Sequence, residues 1–124
     1  MRYLACSTAL REPIVTLAAR HDTLVAGTAR RVLWRTGGAW SDAGANAPTV
    51  GQLAAVFAER GAGGLWAAGS AGIAFLDPRA GTWASWNSPA DVAPPVRDIA
   101  ATDRWVWLAT PLGLVRLDRR ALVR

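Results

Sequence analysis

Acid–base, nucleophilic and metal chemistry need His, Cys, Ser, Asp or Glu side chains in matched sets, and this chain offers few. Its one histidine, His21, stands in the run Arg20-His21-Asp22. Adjacent His and Asp do not make a catalytic triad, which needs a nucleophile, a base and an orienting acid brought together in space. Its one cysteine, Cys6, cannot form an internal disulfide or hold a metal without further ligands. Gly61-Ala62-Gly63-Gly64 lacks the Lys-Ser/Thr and the helix that follow a phosphate loop, so it reads as a hairpin turn. Asp98, paired with an Asp98 from a second copy, is the one acid–base candidate. Its neighbour Arg97 makes a structural ion pair the simpler expectation. No catalytic set, metal site or cofactor is assigned, and an enzyme is not the expected reading.

Recognition chemistry has more to draw on. Seven Trp occur in 124 residues, and all 14 basic residues are Arg against nine acids, for a net charge of +5. Trp105, beside Arg104 in a predicted turn, is the aromatic least explained by packing. Arg30, Trp86, Trp105, Arg97 and Asp98 are the candidate ligand-binding residues. Trp faces of this kind would serve a lectin by stacking on sugar rings. The arginines would attract polyanions at low salt, but they alternate with Asp and no nucleic-acid module is present, so nucleic acid is not the expected partner. Arg without Lys, alongside abundant Ala and Gly, also accompanies a GC-rich genome.

The elements that must position these residues are set out by a repeat. Leu24-Val25-Ala26-Gly27-Thr28, Leu65-Trp66-Ala67-Ala68-Gly69 and Val106-Trp107-Leu108-Ala109-Thr110 lie 41 residues apart, twice. The same offset aligns Val32–Arg35 with Ile73–Leu76 and Leu114–Leu117, and Ile14–Ala18 with Ala55–Glu59 and Val96–Ala100. Each copy divides into short apolar runs separated by turn residues. In the middle copy these runs are Leu53–Ala58, Gly64–Ala68, Gly72–Leu76 and Thr82–Trp86. Runs of this length are strands, and Gly and Asp-Pro between them supply tight turns. The class is all-β, in four-stranded antiparallel units.

The repeat resembles the blade of two-component-regulator propellers. The resemblance rests on Val96–Asp103, Val106–Thr110 and Gly113–Asp118, with Leu65-Trp66, Gly69, Gly72-Ile73 and Asp77 in the middle copy. The first copy departs from it at Val25 and Arg31, and Asp77–Trp83 is also similar to kelch and Asp-box blades. The resemblance implies a β-propeller of stacked blades and transfers no catalytic residue. Residues 14–54, 55–95 and 96–124 are the three blades of one unit, the third incomplete, with residues 1–13 as outer strand and link. Three blades do not close a ring. The expectation is a homodimer of six blades, with a nine-bladed trimer or a different completing chain as alternatives. Tyr3, Leu4, Leu122 and Val123 are then the assembly seam.

The functional expectation is a non-enzymatic scaffold binding a partner protein or a small ligand at a mouth lined by interblade loops. The alternatives are a lectin-like propeller, a propeller enzyme and a polyanion-binding protein. No stretch is long and apolar enough for a membrane span, and Tyr3–Cys6 is too short for the core of a secretory signal. A cytoplasmic protein is expected.

Overall fold

The computed structural model describes residues 12–20, 23–43, 48–60, 63–87 and 95–122. It is all-β, with three separate antiparallel sheets. Sheet 1 consists of β1 (Thr16–Arg20), β2 (Thr23–Gly27), β3 (Val32–Thr36) and β4 (Ala39–Asp42), hydrogen-bonded in chain order. Sheet 2 repeats the pattern with β5 (Leu53–Ala58), β6 (Leu65–Gly69), β7 (Gly72–Asp77) and β8 (Thr82–Asn87). Sheet 3 holds β9 (Asp98–Ala101), β10 (Trp105–Thr110) and β11 (Gly113–Asp118), and a short 3-10 helix, Arg119–Ala121, follows. No helix among the described residues is long and apolar enough to cross a membrane.

The central hairpin of each sheet keeps the sequence period. Leu24 pairs with Arg35, Leu65 with Leu76, and Val106 with Leu117, each 41 residues on from the last. The innermost strand does not keep it throughout. Thr16 pairs with Gly27 and Asp98 with Ala109, but Ala68 takes Ala55 rather than Phe57 as its partner. A bulge between Leu53 and Ala55 accompanies this slip. It also sets Leu53 toward sheet 1 and Ala55 toward sheet 3, residues that a regular strand would place on one face.

The sheets stack face to face, and the burial patterns follow from their order. β6 is buried at every position, Leu65-Trp66-Ala67-Ala68-Gly69, because both faces of sheet 2 are covered. β10 alternates, with Val106 and Leu108 buried, because only one face of sheet 3 meets another sheet. β1 also alternates. Between sheets 1 and 2, Val25 and Val32 pack against Val56, Leu65, Ala67 and Leu76. Between sheets 2 and 3, Trp66, Ile73 and Trp86 pack against Ile99, Val106 and Leu108. The innermost strands follow one another, β1 against β5 and β5 against β9.

Several expected strand ends shift: β6, β7 and β8 each run one residue further, to Gly69, Asp77 and Asn87. The second strand of the middle copy starts at Leu65, not Gly64, and Gly64 lies flat against Phe75, whose ring atoms would stand 2.4 Å from a Cβ there. Trp105 is not in a turn but opens β10. The hairpin closes tightly behind Thr102, whose N–H donates to Trp105 O at 2.8 Å and whose Oγ1 accepts the Trp105 N–H.

Candidate functional site: the outward faces of sheets 1 and 3

Alternation fixes which side chains face away from the stack. In β10 and β11 the residues between the core positions are Trp105, Trp107, Ala109, Leu114, Arg116 and Asp118. In β1, β2 and β3 the corresponding outward set is exposed at Leu17 and Leu24, half-buried at Arg35 and buried at Ala26 and Leu33. The large hydrophobic side chains exposed among the described residues are Ile14, Val15, Leu17 and Leu24 at sheet 1, and Leu112 and Leu114 at sheet 3. None belongs to sheet 2. Leu17 is 64% and Leu114 69% exposed, values far from those of their buried counterparts within the stack.

The outward face of sheet 3 is also cationic and aromatic. The Arg116 guanidinium lies 4.0 Å from the centroid of the Trp105 ring and 5.8 Å from that of Trp107. Arg104 sits 4.8 Å from the Trp105 centroid. Asp118, opposite Trp105 in the ladder, takes Arg120 Nη2 at 2.9 Å and lies 3.7 Å from Arg104. The hydrogen bond from the Arg120 side chain, then that from the Arg120 backbone N–H, lowers the Asp118 carboxyl to about 2. Trp105 therefore presents a ring already associated with two guanidiniums, rather than a bare face for a sugar.

A second cluster lies at the lower end of the stack, where the hairpins β5–β6 and β9–β10 turn. A cleft of about 640 Å³ opens there between Glu59, Arg60, Thr102, Asp103 and Arg119. Arg119 Nη1 donates to Glu59 Oε2 at 2.5 Å and to Thr102 O at 2.9 Å, and its guanidinium lies 5.5 Å from the Trp66 ring. From sheet 1, the Arg20 side chain donates to the backbone oxygens of Glu59 and Gly63. These contacts tie the three sheets together, and no feature of the repeat announces them. Glu59 is aligned with Ala18 and Ala100 by the repeat, and Arg119 with Pro78.

The residues singled out from the sequence do not converge on one site. Arg97 is exposed just ahead of β9, its N–H donating to Ala109 O at 2.8 Å. Asp98 is exposed at the start of β9, and its Oδ1 accepts the Ile99 N–H at 2.9 Å. No ion pair joins the two among the described residues. Both lie at the upper end of sheet 3, the end of the Thr110–Gly113 turn, whereas Trp105 lies at the lower end. Arg30 is exposed in the β2–β3 turn, beside Ala29, Gly51 and Gln52 at the upper end. Trp86 is a core residue, 7% exposed and stacked on Trp66 with ring centroids 6.4 Å apart, because sheet 3 covers the outer strand of sheet 2. Leu122 is half-buried against the core between sheets 2 and 3. Tyr3, Leu4 and Val123 lie outside the described residues, as do His21 and Cys6. Among the described residues no group of three His, Cys, Asp or Glu side chains is placed to hold a metal ion.

At the upper end of sheet 1, Arg31 Nε donates to Glu12 Oε1 at 2.8 Å, and this hydrogen bond holds the Glu12 carboxyl below and the Arg31 guanidinium above their ordinary ranges. Against known proteins, the chain matches no protein-family model and no curated sequence.

Proposed function

We propose that the chain is a three-blade unit of a β-propeller that closes head to tail with a second copy, and that the closed ring is a non-enzymatic binding scaffold. The observation that carries this reading is the distribution of exposed hydrophobics. Sheets 1 and 3 keep them and the doubly covered sheet 2 does not, and exposed apolar side chains gathered at the two open sheets favour an interface. The repeat supplies the fit. Trp107 and Leu114 on the outward face of sheet 3 stand where Trp66 and Ile73 of sheet 2 meet sheet 3. Leu24 on the outward face of sheet 1 stands where Leu65 of sheet 2 meets sheet 1. Sheet 3 of one copy is thus shaped to receive sheet 1 of the next, and a rotation that closes after two copies gives six blades. Arg30, Arg97 and Asp98 at the upper end would then appear twice around the mouth, where a partner protein or a small ligand binds.

The test is complementation between two interface variants. Leu24→Asp spoils the sheet 1 face and Leu114→Asp the sheet 3 face, and both side chains are at least one-third exposed, so the fold tolerates them. Each variant alone carries one damaged face into both seams and runs as a single chain. Mixed, they retain one undamaged seam and recover a two-chain species. Variants that each assemble as the wild type does would overturn head-to-tail closure.

A further inference from the structure

At the lower end of the stack, the turn of sheet 2 departs from those of its neighbours. In sheet 1 Arg20 pairs with Thr23, and in sheet 3 Thr102 N donates to Trp105 O, so two residues separate the partners in each. In sheet 2 Glu59 N donates to Gly64 O at 3.0 Å, and the four residues 60–63 lie between them. The difference originates in β5. Val56 pairs with Ala67, where the register of Leu17 with Ala26 and of Ile99 with Leu108 would set Ala58. This slip feeds two extra residues into the tip without altering the 41-residue period. Places where a sequence breaks its own structural rule are where functional sites are expected. Here the longer tip walls the cleft of about 640 Å³ between sheets 2 and 3.

The cleft carries charges of both signs beside apolar surface. Phe57 and Ala101 are its apolar lining, half-buried against the core between sheets 2 and 3. Glu59 is fully engaged, its Oε1 accepting from Arg119 Nη2 and Gly64 N and its Oε2 from Arg119 Nη1. Arg119 is not. A guanidinium has five N–H groups, and Arg119 makes three hydrogen bonds, two to Glu59 and one to Thr102 O. Arg60 on the longer tip and Asp103 on the facing turn are exposed and join no ion pair among the described residues. Spare guanidinium donors, a spare carboxylate and an apolar surface thus share one cleft. A simple anion or cation would satisfy only one side of it, whereas a carboxylate and an ammonium on one small molecule satisfy both. We propose that the cleft binds a small zwitterion, a free α-amino acid with an apolar side chain. Its carboxylate sits at Arg60 and Arg119, its ammonium at Asp103 and its side chain against Phe57. The volume is that of a small-molecule site, and the whole site lies within one copy, so it stands apart from ring closure.

The probe is L-leucine, compared with isocaproate, which lacks the ammonium, and isoamylamine, which lacks the carboxylate. Binding to the full chain is measured by calorimetric titration, and amide shifts in an isotope-labelled sample locate it. Leucine is expected to bind about tenfold more tightly than either analogue, with shifts at Gly63, Gly64, Thr102 and Asp103. Arg60→Gln is expected to weaken leucine and isocaproate but not isoamylamine. Asp103→Asn is expected to weaken leucine and isoamylamine but not isocaproate. Both side chains are exposed, so the fold tolerates the changes. Leucine that binds no better than isocaproate would show a plain anion site and overturn the zwitterion. Leucine that fails to bind at millimolar concentration, that shifts amides only at the upper end, or that binds both variants as it binds the wild type overturns the site itself.

Discussion

Arg119 follows the last strand of sheet 3, yet its Nη1 lies 2.5 Å from Oε2 of Glu59 at the end of β5 in sheet 2. The contact is two-pronged, with Nη2 3.2 Å from Oε1, and Oε1 also accepts the Gly64 N–H at 3.2 Å. Glu59 is 13% and Arg119 26% exposed in their side chains, so solvent screens this pair less than the other ion pairs among the described residues. Glu59→Gln keeps the shape and removes the charge. It is expected to lower the unfolding free energy by about 2 kcal/mol, the scale of a hydrogen bond to a charged group. A urea titration reads this directly, and a loss below about 0.5 kcal/mol would place the pair with ordinary surface ion pairs.

Gly72 opens β7 with φ +151°, and a Cβ there would stand 2.1 Å from Trp86 O and 2.9 Å from Asn87 Cα. Gly113 holds the same place in sheet 3, with φ +127° and open space around it. The two separate backbone strain from collision. Gly113→Ala is expected to cost about 1–3 kcal/mol, the strain of an unfavourable φ alone. Gly72→Ala adds a backbone collision that forces β8 aside, and is expected to cost clearly more in the same thermal or urea titration. Equal losses would mean that β8 does not press on Gly72.

Asp118 links the end of β11 to the 3-10 helix, accepting the Arg120 N–H at 3.0 Å as the helix cap. Its carboxyl is lowered from 3.8 to about 2. A depressed carboxyl contributes stability that is present above its unfolded value and lost as pH falls through the folded one. Stability is therefore expected to drop between roughly pH 4 and pH 2, with Asp118→Asn flattening that part of the profile. Glu12, lowered by Arg31, acts in the same direction. An identical acid limb in the wild type and in Asp118→Asn would remove Asp118 from it.

The class and the central hairpins are legible in the sequence because β2–β3, β6–β7 and β10–β11 combine a fixed 41-residue spacing with apolar strand runs and Gly turns. The innermost strand of sheet 2 is less legible, because Ala55–Ala58 pair two residues off the register of the other sheets and a bulge shifts Leu53 by one more, neither of which changes the spacing of the repeats. Trp105 reads as a turn residue because Asp103-Arg104 precede it, but a two-residue tip held by Thr102 is enough to close that hairpin. Trp86 reads as an aromatic covering a sheet edge. Only the stacking of sheet 3 over β8 shows that it is core. The Arg119–Glu59 pair joins residues 60 positions apart that the repeat does not relate, so no local pattern signals it. The placement of Arg116 over Trp105 depends on which face of sheet 3 is uncovered, and strand alternation alone does not say which.

Head-to-tail closure is tested most directly by the absolute mass of the chain in solution, measured by light scattering behind a sizing column at micromolar concentration in phosphate buffer. A mass of two chains is the expected result and places the exposed leucines of sheets 1 and 3 inside a closed ring. A folded species with the mass of one chain, unchanged as concentration rises, would contradict it.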